Sequence, residues 1–387
     1  MSLLVLSRSD VEQVTSQFTL TELQILMARV FSSISSPLSS PPTHFTPHRT
    51  SIPLSNHTTL FMPARTTDKS LVGTTVKVVS VPQKSGDTGG IPGSTLVLDE
   101  ASGAAKAIVN SRGLTALRNA AGSLLSTNLV RLQKPKSMVV FGAGKQIEAH
   151  LDLHIRFFSA IKSCTIVNRT YNSRVESLQR LMELRFPTVQ FQFIASSPEG
   201  GARSSQEKIK EALLSTTLII CATSSTSPLF PSAWVRTGSH VILIGSFTPS
   251  MHEVDGDLIR RAIQHPGSNT GTRQILLVDS REACAVEAGE LIAARISDRQ
   301  ITEIGELVTV SESGELKFDL FPGSESLASE STYEGSTDLA EHDETVLGPI
   351  TLFKSVGVGL QDVAIACAAV AKAEELAIGT RIVDYDS

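Results

Sequence analysis

A glycine turn directly after a short apolar strand constrains the fold more than any other feature of this sequence. The segment M-V-V-F-G-A-G-K-Q begins at Met138, and its V-V-F run has the apolar character of a buried parallel strand. Gly142, Ala143 and Gly144 would let the chain turn sharply and bring backbone N–H groups against a pyrophosphate. The helix expected next would point the positive end of its dipole at the same group. The pattern indicates a nucleotide-binding βαβ unit.

A second apolar strand follows at the spacing expected in a dinucleotide fold. Its sequence C-T-I-V-N-R-T ends in Asn168, Arg169 and Thr170. Dinucleotide folds usually place an Asp or Glu about 20 residues after the glycines, where it binds the ribose 2′-hydroxyl. An arginine there can instead pair with a 2′-phosphate. We therefore predict NADP(H) as the cofactor, with Lys145 and Gln146 of the intervening helix among the contacting residues.

The glycine turn departs from the G-x-G-x-x-G pattern, because Ile147 occupies the position of the third glycine. A strand, turn and helix that need glycine only for steric reasons therefore remain an alternative. Later strand ends supply candidates for the nicotinamide end of the site, namely Thr223, Gly245 and Ser246. For each of these an ordinary turn residue is an equally good interpretation.

Apolar segments alternate with helical stretches through the middle of the chain, which is typical of a parallel, doubly wound sheet. These segments lie at 138–141, 164–168, 218–221, 241–244 and 275–278. Short β-like runs between residues 49 and 109 instead predict an antiparallel sheet. We predict an α/β fold class, with a Rossmann-type parallel domain and a second α+β domain whose sheet is mostly antiparallel.

Composition interrupts this pattern twice. Residues 32–47 are rich in Ser and Pro and predict an exposed insertion, and residues 311–342 are rich in Ser, Glu and Gly and predict a surface excursion. Helices are expected near 21–31 and 113–131, and an alanine-rich helix is expected to stop at Gly379. The first residues predict a strand and not a signal peptide, since no basic segment precedes their apolar stretch.

Charge and cysteine usage favour small-molecule chemistry. The chain has 387 residues, 41% of them hydrophobic, and a net charge of −5 without blocks of like charge, which argues against nucleic acid or membrane partners. No apolar run approaches the roughly 18 residues that span a bilayer. The cysteines are scattered and form no C-x-x-C pair, so we expect neither a disulfide framework nor a metal site, and a reducing, cytoplasmic location. They are Cys164, Cys221, Cys284 and Cys367.

Two basic residues lie on faces that are otherwise suited to burial. Arg118 shares a helical stripe with Leu114 and Leu125, where burying it without a partner would be costly. The alternative is an arginine at the edge of the stripe with its head in water. Lys77 shares a strand face with Val79, and the exposed face of an edge strand is the alternative there.

Eight motifs in one order give the chain a family resemblance. It resembles the ornithine cyclodeaminase/mu-crystallin family over nearly its whole length, apart from the two low-complexity stretches. The motifs are F-M-P-A (61–64), T-V-K-V-V (75–79), L-V-L-D-E-A-S-G (96–103), L-T-A-L-R-N-A-A (114–121), G-A-G-K-Q, N-R-T, H-E-V-D (252–255) and K-S-V-G-V-G-L-Q-D (354–362).

The resemblance implies a split architecture. Residues 1–125 and 345–387 would form a substrate-binding and dimerisation domain, and residues 126–344 would form an inserted NAD(P) domain. It also implies homodimers that associate through the sheet of the first domain, a nicotinamide cofactor, and an amino or imino acid as substrate.

The resemblance also assigns roles to individual residues. Arg118 occupies the position of the arginine that meets the substrate carboxylate, and Lys77 that of a lysine close to the imine nitrogen, so both are the catalytic candidates. Arg49 resembles an earlier substrate arginine. Phe247 occupies the position where ornithine cyclodeaminases have an Asp that handles the amino group, and a phenyl ring accepts no proton. Met251 and Asn119 are further departures, for a lysine and a threonine.

These departures favour simple reduction of a C=N bond. We predict an NADPH-dependent reductase of a cyclic imino acid, such as a pyrroline or piperideine carboxylate, that forms a cyclic amino acid. One alternative is an ornithine cyclodeaminase-type lyase that releases ammonia and regenerates its cofactor. Another is a protein that binds NADPH and a small molecule without turnover.

Overall fold

The computed structural model describes residues 2–36, 43–68, 71–83, 91–132, 134–197, 202–263, 275–318 and 348–385. The N-terminal part forms one sheet and three helices. Its strands are β1 (Leu3–Leu6), β2 (His44–Phe45), β3 (Thr50–Pro53), β4 (His57–Thr66), β5 (Gly73–Pro82), β6 (Gly93–Leu98) and β7 (Ala105–Asn110). Its helices are α1 (Arg8–Thr15), α2 (Leu20–Ser35) and α3 (Arg112–Leu129).

The middle of the chain alternates strands with helices. Its strands are β8 (Ser137–Phe141), β9 (Ser163–Asn168), β10 (Gln190–Ala195), β11 (Leu218–Cys221), β12 (His240–Leu243), β13 (Ile275–Val278), β14 (Thr302–Glu303), β15 (Val308–Val310) and β16 (Leu316–Phe318). Its helices are α4 (Lys145–Phe157), α5 (Ser173–Arg185), α6 (Ala202–Ser215), α7 (Gly256–Ile263), α8 (Arg281–Glu287) and α9 (Gly289–Ala293). The last elements are β17 (Thr351–Lys354), α10 (Gly359–Leu376) and β18 (Thr380–Ile382).

The first sheet is mostly antiparallel and has the order β18-β1-β7-β6-β5-β4-β2, with β3 also paired to β4. Only the pair β1 and β7 is parallel. Helix α10 packs closely on β4 and β5, and the approach requires a glycine, because a Cβ at Gly73 would lie 2.6 Å from the Cys367 Sγ. The alanine-rich sequence of α10 permits the same closeness, since its side chains are short. The predicted antiparallel α+β domain is confirmed in this sheet.

The second sheet is parallel throughout and has the order β10-β9-β8-β11-β12-β17-β13-β14. Its central strands are buried along their whole length, as expected for a sheet covered by helices on both faces. Strand order reverses between β8 and β11, and ligands of such sheets bind outside the carboxyl ends of the strands at that point. The glycine turn follows β8, so the predicted Rossmann-type arrangement is confirmed.

One boundary in the predicted domain division is wrong. Strand β17 falls within residues 345–387, which are predicted to belong to the substrate-binding domain. In the structure it lies in the interior of the parallel sheet, between β12 and β13. Its sequence T-L-F-K is too short for hydrophobic periodicity to predict a strand. Only α10 and β18, which come after it, pack with the first sheet. The chain therefore passes from one sheet to the other within the segment 355–358.

The two low-complexity segments are partly ordered. Helix α2 runs through Ser35, inside the predicted 32–47 insertion, and the Ser35 hydroxyl donates to the Glu303 carboxylate at 2.7 Å. Residues 37–42 lie outside the described residues, while β2 follows them. The predicted 311–342 excursion begins with the hairpin of β15 and β16, and residues 319–342 lie outside the described residues. No helix in the described ranges is long and apolar enough to cross a membrane.

Three buried histidines line the contact of α3 with the parallel domain. Their Nε2 atoms contact hydroxyls of α3, at 2.9 Å from His150 to Ser123, 3.1 Å from His154 to Thr127 and 3.1 Å from His240 to Ser126. Burial lowers the pKa of His150 to about 4 and those of His154 and His240 to about 3. The three rings are therefore neutral at neutral pH and serve in packing.

These histidines predict that stability falls as the pH drops from about 7 to 4. Below their ordinary pKa of 6.5, the unfolded chain binds three protons that the folded chain excludes. Burial also raises the pKa of Glu253 to about 7, so the folded chain binds about one proton there that the unfolded chain does not bind. This proton partly offsets the effect of the histidines. Near pH 5 the unfolded chain therefore binds about two more protons than the folded chain. The free energy of unfolding should fall by roughly 2.7 kcal/mol for each unit by which the pH drops. Urea unfolding at several pH values measures this slope, and His154→Gln should reduce it by about one proton. An unchanged slope in that variant would contradict the assignment.

Candidate active site

A cavity of about 1020 Å³ lies between the two sheets and gathers most of the predicted site residues. Its walls come from β4, β5 and α3 on one side and from the glycine turn, α5 and the ends of β11 and β12 on the other. The segment 356–358 and the first turn of α10, which follow β17, also line it. The predicted site residues that line it are Arg49, Lys77, Arg118, Ala143, Gly144, Lys145, Gln146, Thr223, Gly245 and Phe247.

The centre of the substrate side is a buried carboxylate between two cations. Lys77 Nζ lies 3.0 and 3.2 Å from the two oxygens of Asp362, and Arg118 Nε lies 3.2 Å from Oδ1. All three side chains are less than a tenth exposed. The strand alternation and the helical stripe left open whether Lys77 and Arg118 are exposed, and the structure shows that both are buried. Asp362, near the start of α10, supplies the missing countercharge.

Burial and charge act in opposite senses on this cluster. Burial lowers the pKa of Lys77, and the neighbouring Arg118 charge lowers it further, against the attraction of Asp362. Burial alone would raise the pKa of Asp362, but the charges of Arg118 and Lys77 outweigh it and hold that pKa below its ordinary value. Asp362 is therefore ionised at neutral pH, and the three groups together carry one net positive charge when Lys77 is protonated.

Donors remain on both cations after these contacts. Arg118 Nη1 donates to Gln361 Oε1 at 2.7 Å and to the Asn119 side chain, whereas Nη2 donates to no described residue. Lys77 has three N–H groups, of which two are directed at Asp362. The segment before α10 lies against the guanidinium: Gly357 has a φ of +85°, and a Cβ there would lie 2.5 Å from Arg118 Nη1. Both Lys77 and Arg118 line the cavity, so the donors that remain are candidates for binding an anion there.

Arg49 and Phe247 occupy the rim of this cavity. The Arg49 guanidinium forms an ion pair of 2.8 Å with Glu287 of α8, so it lies near the site but is already paired. Phe247 is half-buried and lines the cavity together with Met251. The turn after β12 therefore presents a phenyl ring and a thioether at the two positions where, by the family resemblance, ornithine cyclodeaminases have an Asp and a lysine.

The glycine turn fits a pyrophosphate group. Gly142 has a φ of +110°, and a Cβ there would lie 2.8 Å from the carbonyl oxygen of Ala222. Gly144 is the N-cap of α4, makes no side-chain cap, and has open space where its Cβ would be. The first N–H groups of α4 thus lack side-chain partners. The buried Oε1 of Gln146 also lacks a hydrogen-bond partner among the described residues. Ile147 is fully buried, so a core side chain replaces the third glycine.

The predicted 2′-phosphate residues do not line the cavity. Arg169 and Thr170 are exposed, and Asn168 donates from Nδ2 to the Thr170 carbonyl at 3.0 Å, which shapes the turn after β9. Arg174, at the start of α5, lines the cavity instead. Neither Arg169 nor Arg174 forms an ion pair with a described residue. Gly142 and Ser246 also do not line the cavity. Gly142 forms the sharp turn, and Ser246 is fully buried.

Sequence reasoning missed the acidic residues of the site. Asp362 and Gln361 belong to the last family motif, but no local signal ties them to Arg118, which lies 244 positions away from Asp362. Glu253, fully buried beneath Thr223 and Gly245, was also missed. The sequence did carry a signal for Asp362 and for Glu253, since each is an acidic residue beside an apolar segment. Within the described residues, no group of three or more His, Cys, Asp and Glu side chains could hold a metal ion.

Comparison with known proteins decides the family. The model of the ornithine cyclodeaminase/mu-crystallin family matches residues 5–315. This chain belongs to that family. Among curated proteins it is 27% identical over 269 residues to ketimine reductase mu-crystallin of Mus musculus, covering 68% of this chain and 74% of the relative. It is 25% identical over 346 residues to Delta(1)-pyrroline-2-carboxylate reductase of Bacillus cereus, covering 87% and 89%.

A solved structure supports the fold over the whole chain. Thermococcus litoralis Delta(1)-pyrroline-2-carboxylate reductase, in complex with NADH and L-proline, superimposes with a TM-score of 0.72. The match covers 98% of this chain and 100% of that one at 23% sequence identity. At this identity the likeness establishes the shared fold, with its NAD-binding Rossmann-type sheet and its second sheet domain.

The cluster at Asp362 gives a stability prediction. Asp362→Asn should lower the free energy of unfolding by about 3–5 kcal/mol, because it leaves two buried cations without their countercharge. Asp257→Asn is the matched control: Asp257 pairs with Arg260 on the surface and is 70% exposed, so the change should stay within about 0.5 kcal/mol. Urea unfolding of both variants measures the difference. Equal, small losses would show that the buried cluster does not stabilise the fold.

Proposed function

We propose that this protein is an oxidoreductase that reduces the C=N bond of a cyclic imino acid, with NADPH as the preferred hydride source. The observation that carries the proposal is one cavity with two complementary ends. The buried cations Lys77 and Arg118 lie at one end, and the glycine turn at the start of α4 lies at the other. The names of the family relatives, a ketimine reductase and a pyrroline-2-carboxylate reductase, support the same reaction class.

The free donors of the cationic cluster suit an α-imino carboxylate. Arg118 Nη2 and the third N–H of Lys77 can hold the carboxylate, and a planar guanidinium gives that contact a fixed orientation. Asp362 holds both cations in place and prevents two like charges from repelling each other in a dry site. Lys77, which lines the cavity and whose pKa is lowered by burial, would supply the proton to the substrate nitrogen.

The glycine turn and the strand ends would hold the cofactor. The N–H groups at the start of α4, with Gly144, Lys145 and Gln146, would bind its pyrophosphate, and Thr223 and Gly245 would lie at its nicotinamide end. When bound, a reduced nicotinamide supplies the hydride that adds to the imine carbon. Phe247 and Met251 line the cavity with apolar groups, which would favour a substrate ring at this end.

Phe247 separates this reaction from cyclodeamination. A cyclodeaminase must oxidise an amino acid, release ammonia and reduce the product again, and the Asp that handles the amino group in such enzymes is replaced here by a phenyl ring. Reduction of a preformed imine requires the carboxylate contacts, one hydride from the reduced nicotinamide to the imine carbon and one proton to the nitrogen, and none of these needs an Asp at position 247. The same departure also motivates the alternative of a cofactor-binding protein without turnover.

A substrate comparison tests the choice between these activities. Purified protein with NADPH should consume a cyclic ketimine such as a piperideine carboxylate, seen as loss of nicotinamide absorbance. The same protein with ornithine and NAD⁺ should release no ammonia, because the site lacks the required carboxylate at position 247. Ammonia release without net cofactor change would support the lyase. Tight NADPH binding without reduction of any imine in a panel would support the binding protein.

The cofactor preference is a second prediction. Arg169→Ala should weaken NADPH binding by about tenfold or more and NADH binding little, because it removes a charge-assisted contact with the 2′-phosphate. Arg174→Ala should be measured beside it, since Arg174 lines the cavity and Arg169 does not. Arg156→Ala, which breaks a surface pair with Asp152, is the control. Equal weakening of NADPH and NADH by Arg169→Ala would remove that residue from the phosphate site.

We also propose a homodimer that forms through the first sheet and a cytoplasmic location. The edge strands β2 and β3 expose Phe45 and Ile52, and Leu54 follows them, with 46%, 47% and 53% of each residue accessible. An apolar sheet edge of this kind needs a partner in solution. Sedimentation velocity should give twice the chain mass, and Ile52→Lys should shift the protein towards the monomer. A monomer at micromolar concentration would contradict the proposal.

A further inference from the structure

A buried acidic residue ties together the two strand ends beneath the nicotinamide end of the cavity. Glu253 accepts hydrogen bonds from the Thr223 N–H at 2.7 Å and the Thr223 hydroxyl at 2.9 Å, both on Oε1. Its other oxygen accepts from the Gly245 N–H at 2.7 Å. Thr223 follows β11, Gly245 follows β12, and both line the cavity, whereas Glu253 itself is fully buried. One carboxylate thus fixes two wall segments that belong to different strands.

The two segments are in direct contact, so they tolerate no change of spacing. A Cβ on Gly245 would lie 1.9 Å from the carbonyl oxygen of Thr223 and 2.6 Å from Glu253 Oε1. Three donors converge on the carboxylate, so the ionised form is the one whose hydrogen bonds this geometry satisfies. Loss of either oxygen would leave a backbone N–H without its partner.

Glu253 and its two charged neighbours together include two acidic groups and one basic group. Its own N–H donates to Glu290 Oε1 at 3.1 Å, and Glu290 Oε2 lies 3.5 Å from Lys354 Nζ. Lys354 donates to the Ser246 carbonyl at 2.5 Å, on the strand end that also holds Gly245. All three charged side chains are essentially inaccessible to solvent. Fully ionised, this cluster of Glu253, Glu290 and Lys354 carries a net charge of −1.

We propose that Glu253 is a positioning residue of the cofactor site, and that the excess negative charge of its cluster favours the oxidised, positively charged nicotinamide over the neutral reduced one. The inference rests on the proposed function, since it requires a nicotinamide beside Thr223 and Gly245. A fixed negative charge in a dry environment favours a cationic ring and is screened little by salt. The same preference favours loss of hydride from the reduced ring, because positive charge develops there.

The cluster makes this preference depend on pH. Burial raises the pKa of Glu253 to about 7, against the opposing charge of Lys354 on β17 and with a further increase from Glu290 on α9. Cys221 of β11 also faces the cluster, but burial and the two carboxylates raise its pKa far enough to keep the thiol neutral. His252 is the adjacent titratable residue in the chain. Deprotonation of Glu253 therefore creates the negative charge near neutral pH.

The test measures binding and needs no turnover. The dissociation constants of NADPH and NADP⁺ are determined by calorimetry at about pH 6 and about pH 8, on either side of the pKa of about 7. In the wild type, the ratio of the NADPH constant to the NADP⁺ constant should rise by about tenfold between these pH values, equivalent to about 1.4 kcal/mol. Titration of the 2′-phosphate affects both ligands alike and cancels in the ratio.

Three variants separate charge from positioning. In Glu253→Gln the ratio should be independent of pH and should equal the low-pH value of the wild type. Glu253→Asp keeps the charge but is too short to reach both strand ends, so it should retain the pH-dependent ratio while both ligands bind more weakly. Glu303→Gln removes a buried carboxylate of β14 that does not line the cavity, and it should behave as the wild type.

The outcomes also separate this inference from the proposed function. A flat ratio in the wild type would overturn the inference, and so would a pH-dependent ratio that persists in Glu253→Gln, which would point to His252 or Glu287. If neither ligand binds the wild type, the proposed function itself fails. If both bind with a flat ratio, only the role of Glu253 is lost. Should Glu253→Gln not fold, the wild-type profile and Glu253→Asp still decide the matter.

Discussion

The rest of the site depends on the ion pairs of Asp362 with Lys77 and Arg118. Each cation belongs to a different element of the first sheet domain, Lys77 to β5 and Arg118 to α3, and neither could be buried without a countercharge. Asp362 arrives on α10, so that helix must dock before either cation has its partner. The ion pairs therefore couple the formation of the fold to the formation of the anion-binding site. Because Asp362 does not use every donor of the two cations, the cluster keeps donors that, under the proposed function, would hold the substrate carboxylate.

The path of the chain brings the two ends of the cavity together. Strand β17 ends at Lys354, which belongs to the buried cluster under the cofactor end, and α10 begins at Gly359, shortly before Asp362 at the substrate end. The linking segment lies across the cavity, and its Gly357 N–H and Ser355 hydroxyl both donate to Asp279 at 2.7 Å. A single short segment thus fixes the distance between the cationic cluster and the strand ends. Such fixed spacing is what hydride transfer between two bound molecules requires.

Much of this arrangement could be predicted from the sequence, and the failures have physical causes. The glycine turn predicted the parallel sheet, because that signal is local. Periodicity placed Lys77 and Arg118 on otherwise apolar faces but left open whether they are buried, since the same pattern fits a charged head in water. Asp362 was not connected to Arg118, since pairing across 244 positions leaves no local pattern. Strand β17 was missed because four residues carry too little periodicity, and β10 because it is a half-buried edge strand. The direction of Arg169 depends on the turn after β9, which composition does not determine.

The position of β17 inside the parallel sheet also has a consequence for biosynthesis. Strands β12 and β13 are both complete by residue 278, but they have no common neighbour until residues 351–354 have been made. Until then the sheet cannot be complete, and any early pairing would leave the facing edges of β12 and β13 without a partner strand, which is the kind of edge that aggregates. The segment between β13 and β17 contains α8, α9, β14, β15 and β16 as well as the Ser-, Glu- and Gly-rich residues 311–342, and its length extends this interval. Rapid release from the ribosome, or a chaperone that covers the gap, would protect the nascent chain until the missing strand is inserted.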